Sequence, residues 1–279
     1  MDRMYLRRAR NLVMSVMCMA SAVVVIIPLV MILFYVAADG LRAINWGFFT
    51  NLPKPVGETG GGMANAIAGT FTMVTLATGL SLPVGLMAGI YLSEFGRGRL
   101  REAVRFLTDV LNGVPSIITG IFVYVLVVVA MGRYSALAGS VALGIIMIPI
   151  ITRSTEEMLR MVPKSLREAS LALGATEQQT VVKIVLRSAS GGIVTGVMLA
   201  VARAAGETAP VLFTALNNRY WNQGLDQPIA SLAVFIYTYG ISPFEDWHSQ
   251  AWGAALVLVV MVLFLNITAR LVVRARQGR

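Results

Sequence analysis

MANAIAGTFTMVTLATGLSLPVGLMAGIYLS, residues 63–93, contains no charged side chain. A helix on the surface of a water-soluble domain carries a polar face, and this stretch has none. It exceeds the roughly 17–25 residues that cross the apolar part of a bilayer, so it reads as a membrane span. The same reading extends in both directions. Asn11–Ala38, Val110–Gly132, Tyr134–Thr152 and Ala251–Ala269 are equally free of charge, and Ser188–Asn218 is interrupted only by Arg203 and Glu207. With 57% hydrophobic and 13% charged residues and a mean hydropathy of +0.73, the chain has too little charge to coat a soluble fold. The fold class that follows is all-α: a polytopic integral membrane protein of about six transmembrane helices. A single transmembrane domain is expected over residues 1–279.

Basic residues set the expected orientation. Arg3, Arg7, Arg8 and Arg10 precede the first span, and Arg97, Arg99, Arg101 and Arg105 join the second to the third. Arg153, Arg160, Lys164, Arg167, Lys183 and Arg187 join the fourth to the fifth, and Arg270, Arg274, Arg276 and Arg279 form the tail. Only Arg42, Lys54, Arg133 and Arg219 fall on the other side. Positive charge collects on cytoplasmic loops, so the reading is an even number of spans with both termini cytoplasmic. The formal net charge of +9 is explained by that distribution, and nucleic acid is excluded as a partner. The first span is too long for a signal-peptide core of about 7–15 residues and reads as a retained anchor. Cys18, the single cysteine, has no partner for a disulfide or a metal site, and His248 stands alone without a nucleophile motif, so no catalytic or metal centre is expected.

Prolines lie inside several spans (Pro28, Pro83, Pro115, Pro149, Pro210), where neighbours or water can satisfy the freed carbonyls. Gly113 and Pro115 should interrupt the third span, and broken helices in transporters often border the substrate path. The alternative is a kink that aids packing. Thr72, Thr75 and Gly79 share a face of the second span and read as a helix–helix contact. The external loop Asp39–Gly62 is irregular. The external loop Arg219–Gln250 is rich in aromatics (Tyr220, Trp221, Phe235, Tyr237, Tyr239, Phe244, Trp247), which read as an interfacial belt or as a docking surface for an external partner.

The connection Arg153–Arg187 is longer than a connector needs. Pro163 opens a helix, Gly174 breaks it, and Thr176 with Gln179 three residues later fits a capping box. Two short helices joined at Gly174 are expected. Glu168-Ala169-Ser170-Leu171-Ala172-Leu173-Gly174, followed by Ile184-Val185-Leu186, resembles the EAA loop of binding-protein-dependent ABC importer permeases, in which the loop forms a coupling helix seated in the ATPase subunit. Ser170 replaces the second alanine of that pattern and Arg187 its terminal proline. None of the three lysines follows a glycine, so a Walker A phosphate loop is absent and the energy source belongs on another chain.

Arg203 and Glu207 are spaced i, i+4 within a span. A central arginine there costs about 2.5–3.5 kcal/mol on insertion scales, so it faces water, a partner or a substrate. One reading is an ion pair that fixes packing; the other is a cation placed to meet an anion in transit, a task that suits the planar guanidinium fork. Ala202-Arg203-Ala204-Ala205-Gly206-Glu207-Thr208-Ala209-Pro210 closely resembles the PstA-type permeases of phosphate ABC importers, as do Tyr91–Phe95, Asn112–Ile117 and Gln227–Ala230. The likeness covers nearly the whole chain. It implies a type I ABC importer permease fold in the bacterial inner membrane, with a permease core over about residues 64–273 and a cytoplasmic coupling loop over 153–187.

It further implies a homologous PstC-type permease, a PstB-type ATPase dimer that holds the ATP and Mg, and a PstS-type phosphate-binding protein as partners, with membrane lipid around the chain and no cofactor on it. Arg203 is then expected on the phosphate path with Glu207 as its modulator, and Asp109 and Thr208 are further substrate-path candidates. Asn112, Gly113, Pro115, Ser116 and Pro210 are gate or kink positions. Arg167, Glu168, Ala169, Gly174 and Ala175 are the ATPase-coupling candidates. Chemistry alone leaves open another oxyanion (phosphonate, molybdate or sulfate), and an ion-driven secondary carrier is the reading from a different class.

Overall fold

The computed structural model describes residues 2–58 and 60–277. Arg279, one of the basic residues of the expected tail, lies outside the described residues, as do Met1, Thr59, Gly278 and the side chains of Arg3, Arg274 and Arg276. Among the described residues the chain is helical, without strands. α1 (Asp2–Ala43) leads through the short α2 (Trp46–Thr50) to α3 (Ala64–Phe95). α4 (Gly98–Gly113) and α5 (Ser116–Met131) follow, then α6 (Ala136–Arg160), α7 (Lys164–Ala172) and α8 (Glu177–Ala205). α9 (Ala209–Thr214), α10 (Leu232–Gly240) and α11 (Glu245–Gln277) complete the chain. Among the described residues five helices are long and apolar enough to cross a membrane, and a sixth span arises if the bent pair α4 and α5 is taken as one.

α3 and α6 form the centre of the bundle. The buried row on α3 is Gly69, Met73, Ala77, Ser81, Gly85 and Gly89, one residue in every four. Small residues in such a row let backbones approach closely. A Cβ on Gly85 would meet Ile151 Cβ at 2.8 Å, and one on Gly89 would meet Thr155 Cβ at 2.6 Å. The expected contact face was a different one: Thr75 and Gly79 are exposed, and a Cβ on Gly79 would meet nothing within 4 Å. Gly85 and Gly89 win because α6 lies against their side of the helix.

The third span begins later than its charge-free run. α4 and α5 meet at a 104° bend, with Val114 and Pro115 extended between them. The Val110–Gly113 segment therefore belongs to α4, an amphipathic helix across the bundle, and not to the span. Proline cannot donate to a continuing ladder and pushes its predecessor out of helical conformation, which places the break here.

The aromatic loop is not only a belt. α10 folds back into the protein, where Phe235 and Tyr239 are fully buried. Ser231 caps α10 through Val234 N–H, and Leu232 N–H donates to the Thr70 hydroxyl of α3. Tyr239 stacks on Trp247 at 4.2 Å. Tyr220, Trp221, Tyr237 and Phe244 stay exposed. α1 touches α11 near its end, where a Cβ on Gly40 would reach Leu256 Cβ at 2.8 Å, while its side chains from Leu12 to Tyr35 are exposed wherever described.

Candidate functional site

Arg203 lies in the last turn of α8, and the helix ends at Gly206. The place is midway through the bundle: Ala205, at the helix end, shares an apolar groove with Met261 and Leu265 of α11. A cation in the last turn is favoured by the unpaired carbonyls of a helix C-terminus. Glu207 sits just past the end, and its Oε1 accepts from Arg203 Nε at 3.4 Å. That bond is long, and among the described residues it is the one polar contact the Arg203 side chain makes. The arginine side chain is half exposed (50%), the glutamate mostly covered (15%).

A second interruption faces the first. Arg203 lines a small cavity with Leu111, Asn112, Val114, Ser116, Thr119, Ile145 and Ile146, the residues around the α4–α5 elbow and the facing part of α6. Its volume is about 10 Å³, room for about one water. Among the described residues the side chains of Asn112, Ser116 and Thr119 have no hydrogen-bond partner. Thr119 as a residue is 8% exposed and lines the cavity. Threonines 72, 78, 108, 195, 214, 238 and 268 donate to a carbonyl one turn back; Thr119 keeps its hydroxyl for the cavity. Sequence reading missed it because nothing local separates it from those threonines. Pro210 closes the region from behind, packed so tightly that a Cβ on Gly120 would meet its Cα at 2.7 Å.

Asn112, Ser116 and Arg203 are thus brought together, with Gly113 and Pro115 at the hinge. Asp109 is not among them. It points into a separate pocket with Arg101, Glu102, Arg105 and Phe106 and stands 3.9 Å from Arg153. Thr208 leans toward the Ala233 carbonyl of α10 at 3.5 Å, so it ties the α8–α9 break to α10.

At the end of the bundle where the basic loops gather, the α6–α8 connection has the expected form. α7 starts after Pro163, Gly174 takes φ +84, and Thr176 and Gln179 form a reciprocal capping box. Glu168, Ala169, Leu171 and Ala172 are exposed, and Leu173 is 89% exposed. Arg167 turns the other way. Its guanidinium donates to Glu94 at the end of α3 and to the carbonyls of Val162 and Leu159, so its contact is internal. Ser170, the departure from the alanine pattern, is buried and shares a hydrogen bond with Thr180 at 2.9 Å. Nearby, the carboxylate of Glu156 on α6, only 2% exposed, is paired with Arg105 of α4 and with Arg160 at 2.7 Å.

The model of the family described as binding-protein-dependent transport system inner membrane component matches residues 81–278. The chain belongs to this family. Within it, the permease stands with the PstA-type members. It is 44% identical over 267 residues to the phosphate transport system permease protein PstA of Yersinia pestis, covering 95% of this chain and 90% of that one. The protein of the same name from Haemophilus influenzae is 43% identical over 270 residues, 96% and 95% covered. Among solved structures, the permease resembles an inward-facing conformation of the MetNI methionine ABC transporter, with a TM-score of 0.63 at 24% identity over 76% of this chain and 96% of that chain. A bacterial alginate ABC transporter in complex with an alginate-bound periplasmic protein gives a TM-score of 0.63 at 12% identity over 95% and 93%. These structural likenesses establish the fold, that of ABC importer permeases.

Proposed function

We propose that this permease is the transmembrane subunit of an ATP-driven inorganic phosphate importer. It forms the translocation path with a homologous PstC-type permease, receives phosphate from a PstS-type binding protein, and couples to a PstB-type ATPase dimer that holds the ATP and Mg. The basic end of the bundle, with both termini, lies in the cytoplasm of the bacterial inner membrane. The observation that carries the reading is the loosely held Arg203, midway through the bundle, where the α4–α5 elbow and the α8–α9 break meet around three unpartnered polar side chains. A guanidinium is a strong oxyanion donor, and hydroxyl and amide groups replace part of the hydration shell. The exposed face of α7 and the turn after it, with Glu168, Ala169, Leu173 and Gly174 exposed and Ala175 partly covered, is the surface offered to the ATPase.

Phosphate uptake by cells carrying Arg203→Gln tests this. Uptake is expected to be lost while membrane level and co-purification with the ATPase remain normal. Normal uptake would remove Arg203 from the path. Competition of labelled phosphate uptake by phosphonate, molybdate or sulfate separates the oxyanions, and uptake by the permease alone in liposomes under an ion gradient would overturn the ATP-driven reading.

A further inference from the structure

The cavity at Arg203 has room for about one water, so a tetrahedral oxyanion reaches the Asn112, Ser116 and Thr119 side chains that line it only if the α4–α5 elbow moves. α4 is held lightly: along its length only Thr108 is buried. Among the described residues, its ion pairs to other helices all go to one short segment of α6, Arg105 to Glu156 and Asp109 to Arg153. That segment is the last two turns before Pro163, where the chain enters α7. Glu156 is therefore attached on one side to the element that faces the ATPase and on the other to the element whose far end forms the elbow.

We infer that Arg105 and Glu156 are positioning residues for transport, an ionic clasp on a buried carboxylate that carries displacement of α7 through α6 to the elbow over Arg203. The inference rests on the proposed ATP-driven function. The physical warrant is burial. A carboxylate removed from water is strongly penalised without charged donors, so Glu156 keeps its hold on Arg105 as α6 shifts. Arg160 neutralises the same carboxylate from one turn further along α6, but among the described residues it forms no ion pair or hydrogen bond with α4. Arg153 lies 3.8 Å from Glu156 and donates mainly to Glu157 at 2.8 Å.

The test is the number of phosphates imported per ATP hydrolysed by the complete complex in proteoliposomes. Arg105→Gln should lower that ratio at least fivefold with ATP hydrolysis retained, and Glu156→Gln should do the same. Arg160→Gln, which removes the same charge without touching α4, should change it less than twofold. A purely structural pair would lower hydrolysis and transport together and leave the ratio fixed. An unchanged ratio in Arg105→Gln, or an equal fall in Arg160→Gln, overturns the inference. If Arg105→Gln does not assemble, Glu156→Gln carries the test, and an unchanged ratio there overturns the inference. A wild-type complex that hydrolyses no ATP or imports no phosphate would instead sink the functional reading on which the inference rests.

Discussion

Arg167 and Glu94 meet in a two-point ion pair, Nη2 to Oε1 at 2.8 Å and Nε to Oε2 at 3.2 Å, that fastens α7 to the last turn of α3. Both side chains are largely covered, 22% and 9% exposed, and the same guanidinium also binds two carbonyls at the end of α6. Lysine has one ammonium and no planar fork. Arg167→Lys should therefore behave like a loss, lowering stability by about 1.5–3 kcal/mol, the usual value for hydrogen bonds to charged groups. Thermal unfolding of the purified complex reads this; a melting curve identical to wild type would refute it.

Thr119 gives a sharper probe of the cavity than Arg203, because its replacement changes no charge. Thr119→Val keeps the shape and removes the hydroxyl. Phosphate uptake should fall several-fold, and Thr119→Ser should restore it. Thr152, which is buried with an unpaired hydroxyl but lies against α3 and not at the cavity, is the control. Thr152→Val should leave uptake unchanged and stability equal or higher, since an unsatisfied buried hydroxyl is removed.

The α3–α6 contact predicts unequal tolerance along one helix. Gly89→Leu drives a side chain into Thr155 and the Thr152 carbonyl, and overpacking of this kind costs about 1–3 kcal/mol. Gly79→Ala enters open space and should be neutral. Membrane abundance and detergent melting temperature of the two variants distinguish them; equal behaviour would show that α3 and α6 do not pack through this face.

Ser170 and Thr180 form a pair suited to a double-mutant cycle. Ser170→Ala leaves the Thr180 hydroxyl buried without its side-chain partner and should cost about 1 kcal/mol. Thr180→Val should cost a similar amount. The double variant should be less destabilised than the sum, because no polar group is then stranded. Strict additivity would show that the hydrogen bond contributes nothing to holding α7 in place.

Local chemistry was legible in the sequence and long-range contact was not. Pro115 announces the elbow, Gly174 the turn, and Thr176 with Gln179 the cap, because each acts through its own backbone neighbours. The charge-free runs announce the spans for the same reason. Arg203 is visible because a charge in an apolar run is conspicuous. Thr119 and Glu156 are not: Thr119 resembles other helical threonines, and Glu156 belongs to an ordinary basic and acidic segment, until folding brings Arg105 to it. α10 was hidden because its nine residues are too few to span and its aromatics suit either a membrane interface or a core. The four-residue rhythm of Gly69, Ala77, Ser81, Gly85 and Gly89 was available as a signal and outweighs the Thr72–Thr75–Gly79 face.

The right-angled join of α4 and α5 has a mechanical corollary. Arg105 lies seven residues from Asn112, about 10 Å along a helix that rises about 1.5 Å per residue. With the pivot at Glu156, a tilt of α4 by about 10° swings the corner by on the order of 2 Å, by the same rise per residue. A crank of that reach converts a small rocking of the helix ends into a change of bore at mid-membrane, the difference between passing a single water and passing an anion stripped of part of its shell.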